Sequence, residues 1–264
     1  MYKGAVFFDY DGTITDESEG IFSPTPKTLY TLEKLKANGY ATFLATGRMK
    51  PLTRLVSGKF TGLITCNGAS VEIEGKSIKN NKMNEELLNK AIDFMNKEEI
   101  KFALETDICA YTNGLDNTHF IDILKHFNVP KTLFRPIENT TSICANKLMI
   151  TYENECKLNK FIDAFSDIFE IKPHRFCLSA DVNEKNISKS NGVIAALQHL
   201  NIPKENTYAV GDGTNDYTML SEVGHPIVMK IHSKDLDELP VFVTKSVKED
   251  GIYFALKEHF KLIQ

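Results

Sequence analysis

Apolar residues along this chain come in short runs, and their arrangement changes character twice. In residues 1–80, Ala5-Val6-Phe7-Phe8 reads as a buried strand that stops abruptly at Asp9. After a polar stretch from Thr15 to Gly20, Thr25-Pro26 opens a helix as N-cap and first-turn proline. Leu29, Leu32 and Leu35 form its apolar side and Asn38-Gly39 ends it. Tyr40–Ala45 reads as a second strand, Pro51–Val56 as a short helix, and Leu63–Cys66 as a third strand that ends in Asn67-Gly68. Val71–Ile73 and Lys76–Ile78 flank Glu74-Gly75 as a hairpin. Strands alternating with helices predict an α/β fold, a doubly wound parallel sheet of Rossmann-like type.

Residues 81–183 read differently, as an α+β domain inserted into the first. Three helices carry apolar stripes at Leu87/Leu88/Ala91/Ile92/Met95, Phe120/Ile121/Leu124/Phe127 and Leu158/Phe161/Ile162/Phe165. Strand-like runs lie at Phe102–Glu105, Ile108–Thr112, Lys147–Tyr152, Phe169–Lys172 and Arg175–Ala180, and polar Asp181–Asn186 reads as the returning linker. In residues 184–264 the first pattern resumes. Ser188 caps a helix through Val193, Ile194, Leu197 and Leu200, and strands fit Thr207–Val210, Pro226–Met229 and Val241–Val243. Glu249–Leu262 closes the chain as a helix.

Composition narrows the class. The 264 residues are 42% hydrophobic and 25% charged, values of a soluble globular protein of one large or two ordinary domains. A net charge of −4 gives no electrostatic footprint for nucleic acid or an anionic membrane. No apolar run exceeds about five residues, against about 20 for a membrane span. The first strand begins almost at the N-terminus, which leaves no room for a signal peptide. The five cysteines (Cys66, Cys109, Cys144, Cys156, Cys177) are scattered with no C-x-x-C, which argues for reduced thiols and a cytoplasmic location rather than a disulfide frame or zinc site.

Four polar stretches fall at strand ends or a helix start: Asp9-Tyr10-Asp11-Gly12-Thr13, Thr46-Gly47-Arg48, Ser188-Lys189 and Gly211-Asp212-Gly213-Thr214-Asn215-Asp216. Parallel strands bring their carboxyl ends to one edge, where ligands of such sheets bind. Asp9, Asp11, Asp212 and Asp216 would then share one crevice, where ionised carboxylates repel each other. A divalent cation relieves that repulsion, and an all-oxygen donor set without His or Cys favours Mg²⁺. Lys189, a hydroxyl and the backbone N–H groups around Gly47 suit a phosphate. A carboxylate can attack a phosphate ester, and a second one two residues on can protonate the leaving group and then activate water.

These four stretches resemble, in order and spacing, the four motifs of the haloacid dehalogenase superfamily. The insertion between the second and third, preceded by Cys66-Asn67-Gly68-Ala69, resembles that of the Cof-like phosphatases, whose α/β cap of type IIB occupies that place. The resemblance implies Asp9 as nucleophile with its carboxylate on Mg²⁺, and Asp11 as general acid/base with its carbonyl on the metal. It implies Thr46, Gly47, Lys189 and Asn215 as the phosphate-binding set, Asp212 as a metal ligand, and Asp216 on metal-bound water or on Lys189. The sequence departs from the family at Tyr10, where an aliphatic residue is commoner, and at Ser190, where many relatives have glycine.

Arg48 and Asn67 are possible substrate contacts, with a surface ion pair and a turn as their ordinary alternatives. His174, Arg175 and Lys147 are polar residues of the insertion that could meet a sugar or phosphate, with an ordinary surface position as the commoner alternative. The expected enzyme is a Mg²⁺-dependent phosphatase for a small metabolite, a sugar phosphate first, with no nucleic-acid or membrane partner, as a monomer or small homo-oligomer. The alternatives are a phosphatase for pyridoxal phosphate, a flavin or another nucleotide, a phosphomannomutase-like phosphomutase, and a non-catalytic regulator that binds a phosphometabolite.

Overall fold

Strand β1 (Gly4–Phe8) is buried along its whole length, and its side chains divide between two cores. Val6 and Phe8 join Leu32 and Leu35 of helix α1 (Pro26–Ala37), together with Ile252 and Leu256 near the C-terminus. Ala5 and Phe7 join a second core on the opposite face. The period-2 alternation of a strand thus feeds two apolar layers, which is why the run shows no polar positions. The computed structural model describes the chain apart from residues 1, 55, 139–142, 175 and 176.

The chain forms two compact units. The first comprises Met1–Arg48, Thr53–Lys79 and Ser188–Gln264. Its strands are β1, β2 (Tyr40–Ala45), β3 (Gly62–Thr65), β4 (Ser70–Ile73) and β5 (Lys76–Asn80), at whose end the chain enters the second unit.

The second unit comprises Met49–Leu52 and Asn80–Ile187. Its helices are α2 (Glu85–Lys97), α3 (Thr118–His126) and α4 (Glu155–Phe165), and its strands β6 (Lys101–Glu105), β7 (Ala110–Thr112), β8 (Phe134–Pro136), β9 (Lys147–Thr151), β10 (Phe169–Pro173) and β11 (Ser179–Glu184). They form a six-stranded sheet ordered β10-β11-β9-β6-β7-β8, antiparallel except for the β7–β8 pair. Leu88, Ile92, Met95, Phe161 and Phe165 of the helices pack on Phe102, Leu104, Leu148, Ile150 and Val182 of the sheet.

Three local expectations change. Asp181–Glu184, read as linker, forms the last four residues of β11, while Arg175 lies outside the described residues. The polar strand is tolerated because Asp181 is buried against Lys147, whose Nζ donates to Oδ1 at 2.6 Å. Within Pro51–Val56 the helical turn is a 3₁₀ turn over Lys50–Thr53, with Leu55 outside the described residues. The closing helix is α-helical over Gly251–Tyr253 and widens to a π-helix over Phe254–His259.

The rest of the first unit supplies helix α5 (Lys189–Leu200), β12 (Thr207–Gly211), helix α6 (Tyr217–Ser221), β13 (His225–Val228) and β14 (Phe242–Val243). The eight strands order as β14-β13-β12-β1-β2-β3-β4-β5. All neighbours from β14 to β3 are parallel, and β4 is antiparallel to β3. Val193 and Ala196 of α5 and Met219 and Leu220 of α6 lie in the core opposite α1, so helices cover both faces. The order runs outward from β1 in both directions. That switch point is where an open α/β sheet leaves a crevice beyond its strand ends.

Candidate active site

The switch point collects the candidate residues. Asp9 follows β1, Thr46-Gly47-Arg48 follow β2, and Asp212 follows β12. Val210 O accepts from the Asp9 N–H at 2.9 Å, so the ladder holds the backbone one residue past β1. The chain then coils over Tyr10, whose carbonyl accepts from Ile14 N at 2.9 Å and Thr15 N at 3.0 Å. Gly12 makes this coil possible with φ of +83°.

Lys189 is the first residue of α5. Asn191 Oδ1 fixes that helix start, accepting from the Ser188 N–H at 3.0 Å and from its hydroxyl at 2.9 Å. The neighbouring loop leaves no room at Gly68, where a Cβ would lie 2.0 Å from Ser188 O. The Lys189 ammonium is fully buried and donates to Asp9 Oδ1 at 2.5 Å and to Asp216 Oδ1 at 2.7 Å. The other Asp216 oxygen accepts the N–H groups of Asp212 and Gly213, both at 2.9 Å. Thr13 Oγ1 donates to Asp212 Oδ1 at 2.9 Å.

Electrostatics follow from crowding. Burial first, then the charge of Asp216, push the Asp9 carboxyl upward against the pull of Lys189. Burial first, then Asp9 and Asp216, likewise raise Asp212 well above the usual carboxylate range. For Lys189, burial disfavours the charge, yet Asp216 and Asp9 outweigh it and hold the ammonium above its usual range. One ammonium thus faces three carboxylates, of Asp9, Asp212 and Asp216, and one oxygen from each lies within 4.8 Å of the other two. This all-oxygen set with an excess of negative charge fits a hard divalent cation. Asp216 has both oxygens engaged, so Asp9 and Asp212 are the better direct ligands.

Asp11 stands apart from that cluster. Arg48 Nε donates to its Oδ1 and Oδ2 at 3.0 and 2.9 Å, and Arg48 Nη2 also donates to Oδ1. Burial raises the Asp11 carboxyl, but Arg48 outweighs burial and holds it below the usual range. Arg48 Nη2 also donates to Glu17 Oε1 at 3.0 Å. Glu17 was missed in the sequence, where it sits in a polar stretch. An acid in the loop after the first motif was its only signal.

Thr46 is fully buried, and its hydroxyl accepts from the Arg48 N–H at 3.1 Å. Its carbonyl accepts from the Asn67 N–H at 3.1 Å. Asn67 is buried with φ of +55° and accepts from Asn215 Nδ2 at 3.4 Å. The loops after β2, β3 and β12 are therefore tied together. In the second unit, Lys147 is buried, against the surface reading, and pairs with Glu105 Oε2 at 3.2 Å and Asp181. His174 accepts from or donates to Ser179 Oγ at 2.6 Å through Nδ1 and lies 3.4 Å from Asp181 through Nε2. Among the described residues no helix is long and apolar enough to cross a membrane.

The family model described as haloacid dehalogenase-like hydrolase matches residues 6–256. "Putative phosphatase YkrA" of Bacillus subtilis is 29% identical over 262 residues, 98% of this chain and 98% of that protein. The 5-amino-6-(5-phospho-D-ribitylamino)uracil phosphatase YwtE of Bacillus subtilis is 25% identical over 284 residues, 96% of each chain. Among solved structures, the HAD subclass IIB sugar phosphatase BT4131 has a TM-score of 0.83 and 25% identity, with 98% of this chain and 100% of that one covered. The chain belongs to the haloacid dehalogenase-like hydrolase family and is a phosphatase of it, a phosphoric monoester hydrolase.

Proposed function

We propose that this phosphatase hydrolyses the phosphate ester of a small metabolite, a sugar phosphate, through an aspartyl-phosphate on Asp9. The observation that carries the reading is the Lys189 ammonium held between Asp9 and Asp216, which keeps a buried carboxylate oriented by a fixed positive charge at the sheet's switch point. Similarity to the sugar phosphatase BT4131 supports the substrate class.

In this reading Asp9 attacks phosphorus and the P–O bond to the sugar breaks, while Asp11, which takes up a proton against the pull of Arg48 once the ester is bound, gives that proton to the leaving oxygen. Asp11 then takes a proton from water as the water oxygen attacks phosphorus, and phosphate leaves Asp9. Thr46, the Gly47 N–H, Lys189 and Asn215 hold the phosphoryl oxygens through the first and second transfers. Asp9, Asp212 and the Asp11 carbonyl would hold Mg²⁺, with Asp216 supporting them. When bound, the cation offsets the repulsion between the Asp9 carboxylate and the phosphoryl group.

Phosphate release from a panel of sugar phosphates, pyridoxal phosphate and nucleotides tests this, with Mg²⁺ or EDTA and with Asp9→Asn as the blank. Metal-dependent release absent from the blank supports the mechanism, and the ranking assigns the substrate. Release that persists in Asp9→Asn overturns the nucleophile. The similarity to YwtE favours a second reading, a phosphoribitylamino-uracil as substrate, so 5-amino-6-(5-phospho-D-ribitylamino)uracil belongs in the panel.

A further inference from the structure

Asp11 is held by Arg48, a group outside the catalytic set, and Arg48 is in turn held by Glu17 and Tyr10. The Arg48 guanidinium sets one edge against both carboxylate oxygens, with Nε at 3.0 and 2.9 Å and Nη2 on Oδ1. The same Nη2 reaches Glu17 Oε1 at 3.0 Å. The guanidinium carbon lies 4.8 Å from the centre of the Tyr10 ring. The Arg48 and Glu17 side chains are only 13% and 17% exposed and that of Asp11 is 34% exposed, so the guanidinium is shielded while the Asp11 carboxyl stays reachable.

A planar guanidinium fork admits a carboxylate in one orientation, which a point charge such as lysine does not impose. Stacking on Tyr10 fixes the plane of the fork, and Glu17 fixes its rotation in that plane. The Nε and Nη2 donors of Arg48 thus face carboxylates, and Glu17 offsets the positive charge that a phosphate ligand would use. Proton transfer requires the acid within hydrogen-bond reach of its target, and a misplacement of about 1 Å can cost about 100-fold in rate.

We propose that Arg48 and Glu17 are positioning residues for Asp11: Glu17 and Tyr10 hold the guanidinium, and the guanidinium orients the Asp11 carboxyl toward the ester oxygen and the attacking water. The inference rests on the reading of Asp11 as general acid/base given above. It gives Arg48 a role other than the expected substrate contact, and it gives the Tyr10 ring beside the guanidinium a use.

The test is kinetic, on the full enzyme with an alkyl phosphate and Mg²⁺, and reads kcat, KM and the inhibition constant of inorganic phosphate. Arg48→Gln, Arg48→Lys and Glu17→Gln are made alone and in an Asp11→Asn background. Arg48→Gln is expected to lower kcat by about 10- to 100-fold, with the phosphate inhibition constant unchanged within about two-fold. Arg48→Lys does not restore the rate, because the fork is lost. Glu17→Gln lowers kcat by about three- to ten-fold, and it carries the test if Arg48→Gln does not fold. In the Asp11→Asn background neither change lowers kcat further by more than about two-fold, since both act through Asp11. An Arg48→Gln loss that multiplies fully with that of Asp11→Asn overturns the inference alone. So does a rise in the phosphate inhibition constant with kcat retained. Full activity in Asp11→Asn overturns the acid/base reading first, and the inference with it.

Discussion

Gly12 leaves the Asp212 carboxylate no clearance: a Cβ at position 12 would lie 2.2 Å from Asp212 Oδ2 and 2.6 Å from Oδ1. The φ of +83° at Gly12 adds backbone strain for any other residue. Gly12→Ala is therefore expected to displace Asp212 or the loop that carries Asp9 and Asp11. The expected outcome is a kcat loss of at least about ten-fold with a stability loss of about 1–3 kcal/mol. Paired urea denaturation and kinetics check it, and unchanged kcat would show that the loop yields without moving the acids.

The Lys189 ammonium is shared by two buried carboxylates, Asp9 and Asp216. Lys189→Met leaves both without their counter-charge, which should destabilise the metal-free protein by about 3–5 kcal/mol. Adding Asp216→Asn to that variant should return part of the loss, because one of the stranded charges is gone. Urea midpoints measured in EDTA for the two variants check this, and a single variant as stable as the parent would contradict it.

A divalent cation should stabilise the folded chain, because burial and neighbouring carboxylates push both Asp9 and Asp212 up, Asp216 acting on Asp9, and Asp9 and Asp216 on Asp212. At 100 times its dissociation constant the expected gain is about 2.7 kcal/mol. A thermal melt against Mg²⁺ concentration reads it. Asp212→Asn should abolish the shift while the melt in EDTA stays near or above that of the parent. A shift that survives Asp212→Asn would place the cation elsewhere.

His174 makes stability fall at alkaline pH. Burial works against its charge, but the hydrogen bond and charge of Asp181 outweigh that and hold the imidazolium up to about 9. The folded value lies above the unfolded one of about 6.5, so the contribution is complete below about pH 6.5 and is lost as pH rises through about 9. We expect a loss on the order of 2 kcal/mol across that window, screened by the residual exposure of the side chain. His174→Gln should flatten the difference between urea midpoints at pH 6 and pH 9.5. An identical pH slope in parent and variant would remove His174 from the account.

Periodicity alone carried most of the first unit. The buried runs that become β1, β2 and β12 end at Asp9, Thr46 and Asp212, so reading where apolar burial stops also locates the site. The second unit was less legible where charge entered the sheet. Asp181 and Asn183 look like linker residues in sequence, yet both are buried in β11. The cause is Lys147, which lies 34 residues away and neutralises Asp181. The β8 strand, Phe134-Arg135-Pro136, was missed because it has one apolar side chain and a proline, which an edge position tolerates.

The sequence by itself determined the strands, the caps, and which carboxylates stand at strand ends, because burial of apolar surface is written in local spacing. Only the tertiary structure decided how those charges pair. Lys189 reaches Asp9 across 180 positions, and Arg48 turns to Asp11 and Glu17 rather than outward. Partner choice among charges depends on distance and shared desolvation in space, and neither quantity has a period along the chain.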